Sequence, residues 1–222
     1  MQRLRIRFSR GNALKFISHL DILRLWERAF RRARIPLAYS EGFTPHPRIS
    51  LAAPLSVGIT SDVEMMDVTL ANQVSPHWFA AAVGQQLPAG MTVRDVHPIP
   101  LDTPSLQSQV RFAEYEVLID TGLAATEIEG RISGLLARER LPWHHYRDTG
   151  RRDYDLRALI DDVWLIDCEA GGCTIGMRLR CDSTGSGRPE QVVAALGFTE
   201  HPRAIRRTRL ILDARARSTA PR

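Results

Sequence analysis

Tyr39, Phe43, His46 and Arg48 bring two aromatic rings, an imidazole and a guanidinium fork within ten residues. Rings stack on bases, a guanidinium pairs with phosphate, and an imidazole exchanges a proton near neutral pH. Such a set suits single-stranded RNA or another planar, phosphorylated ligand. The surrounding run, YSEGFTPHPRISLAAPLSVGI (39–59), is longer and stiffer than a turn requires. Gly42 permits positive φ next to Ser40 and Phe43. Pro45 and Pro47 fix their own φ and extend the residues before them, so Thr44-Pro45-His46-Pro47 reads as a rigid arm presenting His46. The competing reading is a structural loop with Phe43 packed into a core.

A second set lies upstream. Ser18, His19 and Asp21 stand at a predicted helix N-terminus, where free amides and the helix dipole favour an anion. Capping by Ser18 and Asp21 accounts for part of that pattern. Along the same helix Arg24, Arg28, Arg31 and Arg32 line one face, and Arg3, Arg5 and Arg7 line one face of the strand before it. These arginines are candidates for phosphate contacts. Weaker candidates are Arg157, two residues after Asp155, and Arg188, which follows the glycines Gly185 and Gly187 and opens a short helix. The glycine run lacks the Gly-Lys-Ser/Thr ending of a Walker loop. The histidines are scattered and no Cys-x-x-Cys occurs, so neither a metal nor a cofactor is expected.

Regular elements must position these groups. Leu4, Ile6 and Phe8 alternate with the arginines, predicting a strand; Ile22, Leu23, Trp26, Phe30 and Ala33 predict an amphipathic helix ending before Pro36. An interrupted strand over 48–59, a strand over 63–71, a helix from Ser75-Pro76 with Trp78, Phe79, Ala82 and Val83 as its apolar stripe, and a strand over 91–99 follow. Residues 98–110 hold three prolines and read as a linker. The order then repeats: a strand over 113–119, a helix over 124–138, two strands around Glu169–Gly172, a short helix closed by Gly197 and a last strand. The expected fold is therefore α+β, two tandem ferredoxin-like βαββαβ units spanning 1–100 and 111–214, with an insertion near 140–160 and a basic tail, 215–222. Each unit should hold a four-stranded antiparallel sheet backed by two helices.

Composition sets the outer limits. Of 222 residues, 44% are hydrophobic and 25% charged, as in globular proteins with a real core. No run approaches the roughly 20 apolar residues of a membrane span, and nothing at the N-terminus reads as a secretion signal. Cys168, Cys173 and Cys181 read as reduced thiols of a cytoplasmic protein. The net charge of +5 is uneven. Residues 1–34 carry ten basic against two acidic side chains, and residues 201–222 seven against one, so the middle is acidic. Basic chain ends fit a polyanionic partner, although Lys15 is the only lysine and the arginine excess admits a codon-usage origin.

The segment KFISHLDILRLWERAFRRARIPLAYSEGFTPHPRISLAAPLSVGI resembles the signature of the bacterial radical SAM-linked proteins, a domain of unknown function. The likeness runs through His19-Leu20-Asp21, Tyr39-Ser40-x-Gly42-Phe43-x-Pro45-His46-Pro47, and later Asp155-x-Arg157 and Arg188-Pro189, with Thr44 where asparagine is expected. It implies an accessory role beside a radical SAM protein, here in the stand-alone form. Family genes often lie near those for RNase E/G and ribosomal proteins, which implies an RNA context. The tandem order also resembles the RAMP superfamily of CRISPR RNA-processing endonucleases, although Gly185 and Gly187 precede the last helix rather than the last strand. The favoured expectation is a non-catalytic module that binds RNA or a nucleotide-like substrate for the radical SAM partner. One alternative is a metal-independent endoribonuclease, with His19 or His46 as acid or base and Tyr39 or Arg48 stabilising the phosphorane. Another is a protein–protein scaffold.

Overall fold

The computed structural model describes residues 1–147, 150–169 and 171–213, so the tail 215–222 lies outside the described residues. The chain is mixed α+β and its described residues divide into two compact units, Met1–Val110 with Leu212 and Asp213, and Arg111–Ile211. Among the described residues no helix is long and apolar enough to cross a membrane.

In the first unit the elements are β1 (Gln2–Arg10), α1 (His19–Arg32), β2 (Ile49–Leu51), β3 (Thr60–Leu70), α2 (Pro76–Gly84), β4 (Met91–Ile99) and the single turn α3 (Leu106–Gln109). Its strands lie in the order β4-β1-β3-β2, all pairs antiparallel, with Ile6 opposite both Met66 and Val96. Alternation places Leu4, Ile6 and Phe8 of β1 and Met66, Val68 and Leu70 of β3 in one buried layer. Ile22, Trp26, Ala29 and Phe30 of α1 and Phe79 and Val83 of α2 are buried with them. Phe8, Trp26, Phe30 and Phe79 form a chain of rings with centroid spacings of 4.9, 5.3 and 5.7 Å. Truncating a ring such as Trp26 costs about 3–5 kcal/mol. The exposed Trp78 corrects the expected stripe of α2: one residue before Phe79, it sits about 100° around the helix from the core face.

Helix α1 stops earlier than Pro36 demands. Arg34 adopts φ 54°, and Ile35 N–H donates back to Phe30 O at 3.0 Å. This is a Schellman ending with arginine in the left-handed position that usually takes glycine.

The opposite face of β1 corrects another expectation. Arg5 donates to both Asp67 oxygens, at 2.7 and 3.0 Å, and Arg3 adds a third bond at 2.8 Å. Arg5 and Asp67 are buried. Arg3 also reaches the Thr103 and Pro104 carbonyls, and Arg5 reaches Gln109 Oε1. These two arginines therefore tie the proline-rich segment to the sheet and have little left for phosphate; Arg7 stays exposed.

The second unit contains β5 (Val110–Asp120), α4 (Ala125–Leu136), β6 (Pro142–Arg147), β7 (Gly150–Asp155), β8 (Ile160–Glu169), β9 (Gly172–Asp182), β10 (Gly185–Ser186), α5 (Pro189–Ala195) and β11 (Ala204–Leu212). Strand β9 pairs with β5 and β8, and β11 neighbours β5, giving the order β11-β5-β9-β8; β10 folds back on the end of β9. Ala113, Tyr115, Val117 and Ile119 of β5 are buried, while Glu114 and Glu116 on its other face meet Arg178 and Arg206. The region 140–160 forms a separate hairpin, β6–β7. Gly176 lies opposite Trp164, whose ring would stand 2.2 Å from any Cβ placed there. The indole thus covers backbone that only glycine leaves open.

Cys168 and Cys173 form a disulfide, which corrects the expectation of three reduced thiols; Cys181 is a buried thiol outside it. The tight β8–β9 connection sets the two directly opposite each other, with Cα atoms 4.1 Å apart. Titration of unfolded, unreduced protein should find one thiol, and three after reduction; three before reduction would contradict the pairing. Asp67→Ala, which strands two arginines, should lower unfolding free energy in urea by about 3–5 kcal/mol.

Candidate nucleic-acid interface

The start of α1 is organised by short-range bonds. Ser18 Oγ accepts from Asp21 N–H at 3.2 Å and donates to Asp21 Oδ2 at 2.7 Å, while Arg24 donates to Asp21 Oδ1 at 3.1 Å. The Ser18 hydrogen bond, with help from Arg24, holds the Asp21 carboxyl below its ordinary pKa. Upstream, buried Arg10 donates to the carbonyls of Leu14, Lys15 and Ile17 and so shapes the turn that delivers the chain to Ser18. His19 is half-buried over this turn. Desolvation lowers its pKa and Arg10 lowers it further, against an opposing pull from buried Glu64. His19 is therefore a neutral imidazole at pH 7, fit to accept a hydrogen bond or a proton.

The buried stripe of α1 dictates what it shows to solvent. With Ile22, Trp26, Ala29 and Phe30 inward, Arg24, Arg28 and Arg31 are exposed at i, i+4 and i+7. Arg32, beside them, donates to Gln86 O at 2.6 Å. Asp21, Leu25, Arg28 and Arg32 form one wall of an open groove of about 530 Å³, facing Phe16, Ile17 and Pro88. Phe16 is 72% exposed and carries the Lys15 ammonium 5.1 Å from its ring centroid. Sequence reading passed over Phe16 because it falls between two elements and on neither periodicity. The available signal was an aromatic beside lysine two residues before an N-cap.

The 38–48 segment is a narrow hairpin arm. Ala38 N–H donates to Thr69 O and Thr69 N–H to Arg48 O, which anchors the stem on the end of β3. Within the stem Arg48 N–H donates to Ala38 O, Ser40 N–H to His46 O, and His46 N–H to Ser40 Oγ, all near 2.9–3.0 Å. Gly42 turns the tip at φ 124°. Tyr39, His46 and Arg48 are exposed, and Phe43 is fully exposed at 110%. A core role for Phe43 does not hold.

The sequence candidates thus fall into separate places. Asp21, Arg24, Arg28 and Arg31 share the outward side of α1, and Tyr39, Ser40, Gly42, Phe43, His46 and Arg48 share the arm. Among the described residues no hydrogen bond or ring contact joins the arm to His19. Arg157 and Arg188 belong to the second unit. Arg157 spends most of its guanidinium on the carbonyls of Leu136, Arg138 and Ile160, closing the end of α4. Asp155 Oδ1 accepts from Leu141 N–H and Arg157 N–H and shapes the same corner. Arg188 is exposed beside Tyr154, whose hydroxyl pKa is raised by desolvation against the pull of Arg188. Gly185 and Gly187 lie against Leu159 and Leu179, where a Cβ would clash, so packing explains them without a phosphate. Among the described residues no three His, Cys, Asp or Glu side chains converge on a metal position.

A family model described as an uncharacterised protein conserved in bacteria (DUF2344) matches residues 3–189. No curated protein matches the chain. Similar solved structures include a Cbf5–Nop10–Gar1 complex (9% identity, TM-score 0.49), an H/ACA ribonucleoprotein bound to a substrate RNA containing 2′-deoxyuridine (10%, 0.47) and an archaeal box H/ACA Nop10–Cbf5 complex (9%, 0.47). Each covers 94–95% of this chain, which spans about half the length of the matched chains, 47–48%. Likeness at this level carries no functional argument.

The His19 geometry yields a pH test. A folded pKa below the ordinary 6.5 means that the unfolded chain takes the proton first. Stability from this group is present above the unfolded value of 6.5 and is lost as pH falls from there through the lower folded pKa. Between about pH 7.5 and about 5.5, wild type should lose more stability in chemical denaturation than His19→Gln. Equal losses would show that folding leaves the pKa of His19 unshifted.

Proposed function

The chain belongs to the DUF2344 family of uncharacterised proteins conserved in bacteria, and we propose that this member binds RNA, or a nucleotide-like piece of it, through its first unit. One observation carries the reading. Helix α1 exposes Arg24, Arg28 and Arg31, and the same unit exposes an arm bearing Tyr39, Phe43, His46 and Arg48. Guanidinium groups in a row match a phosphate backbone, while rings held in water at a stiff tip offer stacking faces. Hydrogen bonds in the stem lower the entropy that the arm loses on binding. His19 and the cap of α1 add a neutral acceptor next to the arginine row. Arg188, exposed on the second unit, is kept as a separate candidate contact, and Arg157 is left out.

The role is that of an accessory module, presenting its ligand to a separate radical SAM enzyme in the cytoplasm. The partner rests on the resemblance of the His19–Asp21 and Tyr39–Pro47 motifs to radical SAM-linked proteins. The tandem ferredoxin-like reading, with a first domain over 1–100 and a second over 111–214, is supported by the strand orders β4-β1-β3-β2 and β11-β5-β9-β8, each interleaved with two helices.

Charge reversal tests the RNA reading. Arg24→Glu, Arg28→Glu and Arg31→Glu combined should weaken binding of unrelated single-stranded RNAs alike, by tenfold or more, and flatten the log–log salt slope by about 2, at roughly 0.7 per contact. Unchanged affinity at low salt would leave the scaffold reading in its place, and RNA cleavage in EDTA would turn the module into an endoribonuclease.

A further inference from the structure

We propose that the groove between Phe16 and α1 seats one unpaired nucleotide of the bound RNA, with its base on the Phe16 ring and its phosphate on Arg28 and Arg32. The inference rests on the RNA reading above and names a site within it. Three features of the groove fit a nucleotide. Its volume of about 530 Å³ falls within the usual range for small-ligand sites, ~300–1,000 Å³, yet it is open along one side, as a link in a polymer requires. Its two long walls differ in chemistry. Phe16 offers an aromatic face, with Ile17 and Pro88 as apolar neighbours, whereas Arg28 and Arg32 offer planar donor forks.

The groups are also free to act. Phe16 is mostly exposed, a cost in water that a stacked base would remove. The Lys15 ammonium near the ring supplies a further cation. Arg32 is steadied by its bond to Gln86 O through one of five donors, so the others remain for a phosphate. Arg28 is exposed on the same helix face. Asp21 opposes an anion at the near end, but its oxygens already accept from Ser18 Oγ and Arg24, which leaves the Arg28–Arg32 end as the phosphate end. At the Asp21 end the carboxylate suits a base that donates through an exocyclic amine.

A single-stranded oligoribonucleotide carrying one 2-aminopurine reports stacking directly, since the probe is quenched when it stacks. Added full-length protein should quench it, and Phe16→Ala should abolish the quench and weaken binding about tenfold, with the salt slope and melting temperature unchanged. Phe16→Tyr should restore both. Arg28→Gln should lower the slope by about 0.7. Binding with a normal salt slope but without quenching, or full quenching by Phe16→Ala, would overturn the groove and leave the RNA reading intact. Absence of any RNA binding would overturn both. Free 2-aminopurine riboside monophosphate should bind at least a hundredfold more weakly than the oligonucleotide, and equal affinity would overturn RNA as the source of the nucleotide.

Discussion

The rotation of α1 about its own axis is set by Trp26. Its indole is fully buried between Phe8 and Phe30, and turning the helix away from this orientation would draw that ring toward water. Once it is fixed, the positions of Arg24, Arg28 and Arg31 follow from 3.6 residues per turn, and so does the wall of the groove. Among the described residues the indole Nε1 has no acceptor, and the ring packs edge to face with Phe8. The core thus accepts an unmatched polar atom to obtain a large anchor. The arginine row and the α1 wall of the groove are indexed to that residue.

Net charge is a poor guide to what the basic residues do. Arg5 and Arg10 are buried, and Arg157 is withdrawn into carbonyl bonds. Each closes a segment that lacks regular partners: Arg3 and Arg5 hold the proline-rich stretch after β4, Arg10 the turn before α1, and Arg157 the corner after α4. Arginine suits this work because a single guanidinium satisfies several carbonyls while remaining charged. A second group answers acidic neighbours on a sheet face, as Arg178 and Arg206 answer Glu114 and Glu116. Arg28, Arg31 and Arg48 belong to neither group.

Periodicity revealed much of the frame. Strands β1, β3 and β4 and helix α1 lie where alternation and the apolar stripe placed them, because one face of each is buried against its neighbours. The Gly42–Pro47 arm was legible through residues that restrict φ. Long-range pairing was not. Nothing local to Arg3 and Arg5 points to Asp67, more than sixty residues away, and a reading of charge alone sent those arginines to solvent. The cysteines were misread for a related reason: the search was for Cys-x-x-Cys, whereas a tight hairpin sets residues five apart face to face. Trp78 shows the same limit, since a large ring was assigned to the apolar stripe by its type although its position lay about 100° around the helix from the core face.

The arm separates support from display. Its stem is held by main-chain bonds and one serine hydroxyl, and by its attachment to Thr69 on β3. Its tip, residues 41–45, faces water throughout. Apart from Gly42, whose φ of 124° favours glycine, substitutions at the tip therefore meet little constraint from folding. A lineage can exchange the ring, charge or length carried there without rebuilding the scaffold beneath, as happens in a cassette, and selectivity can diverge among relatives while the fold stays constant.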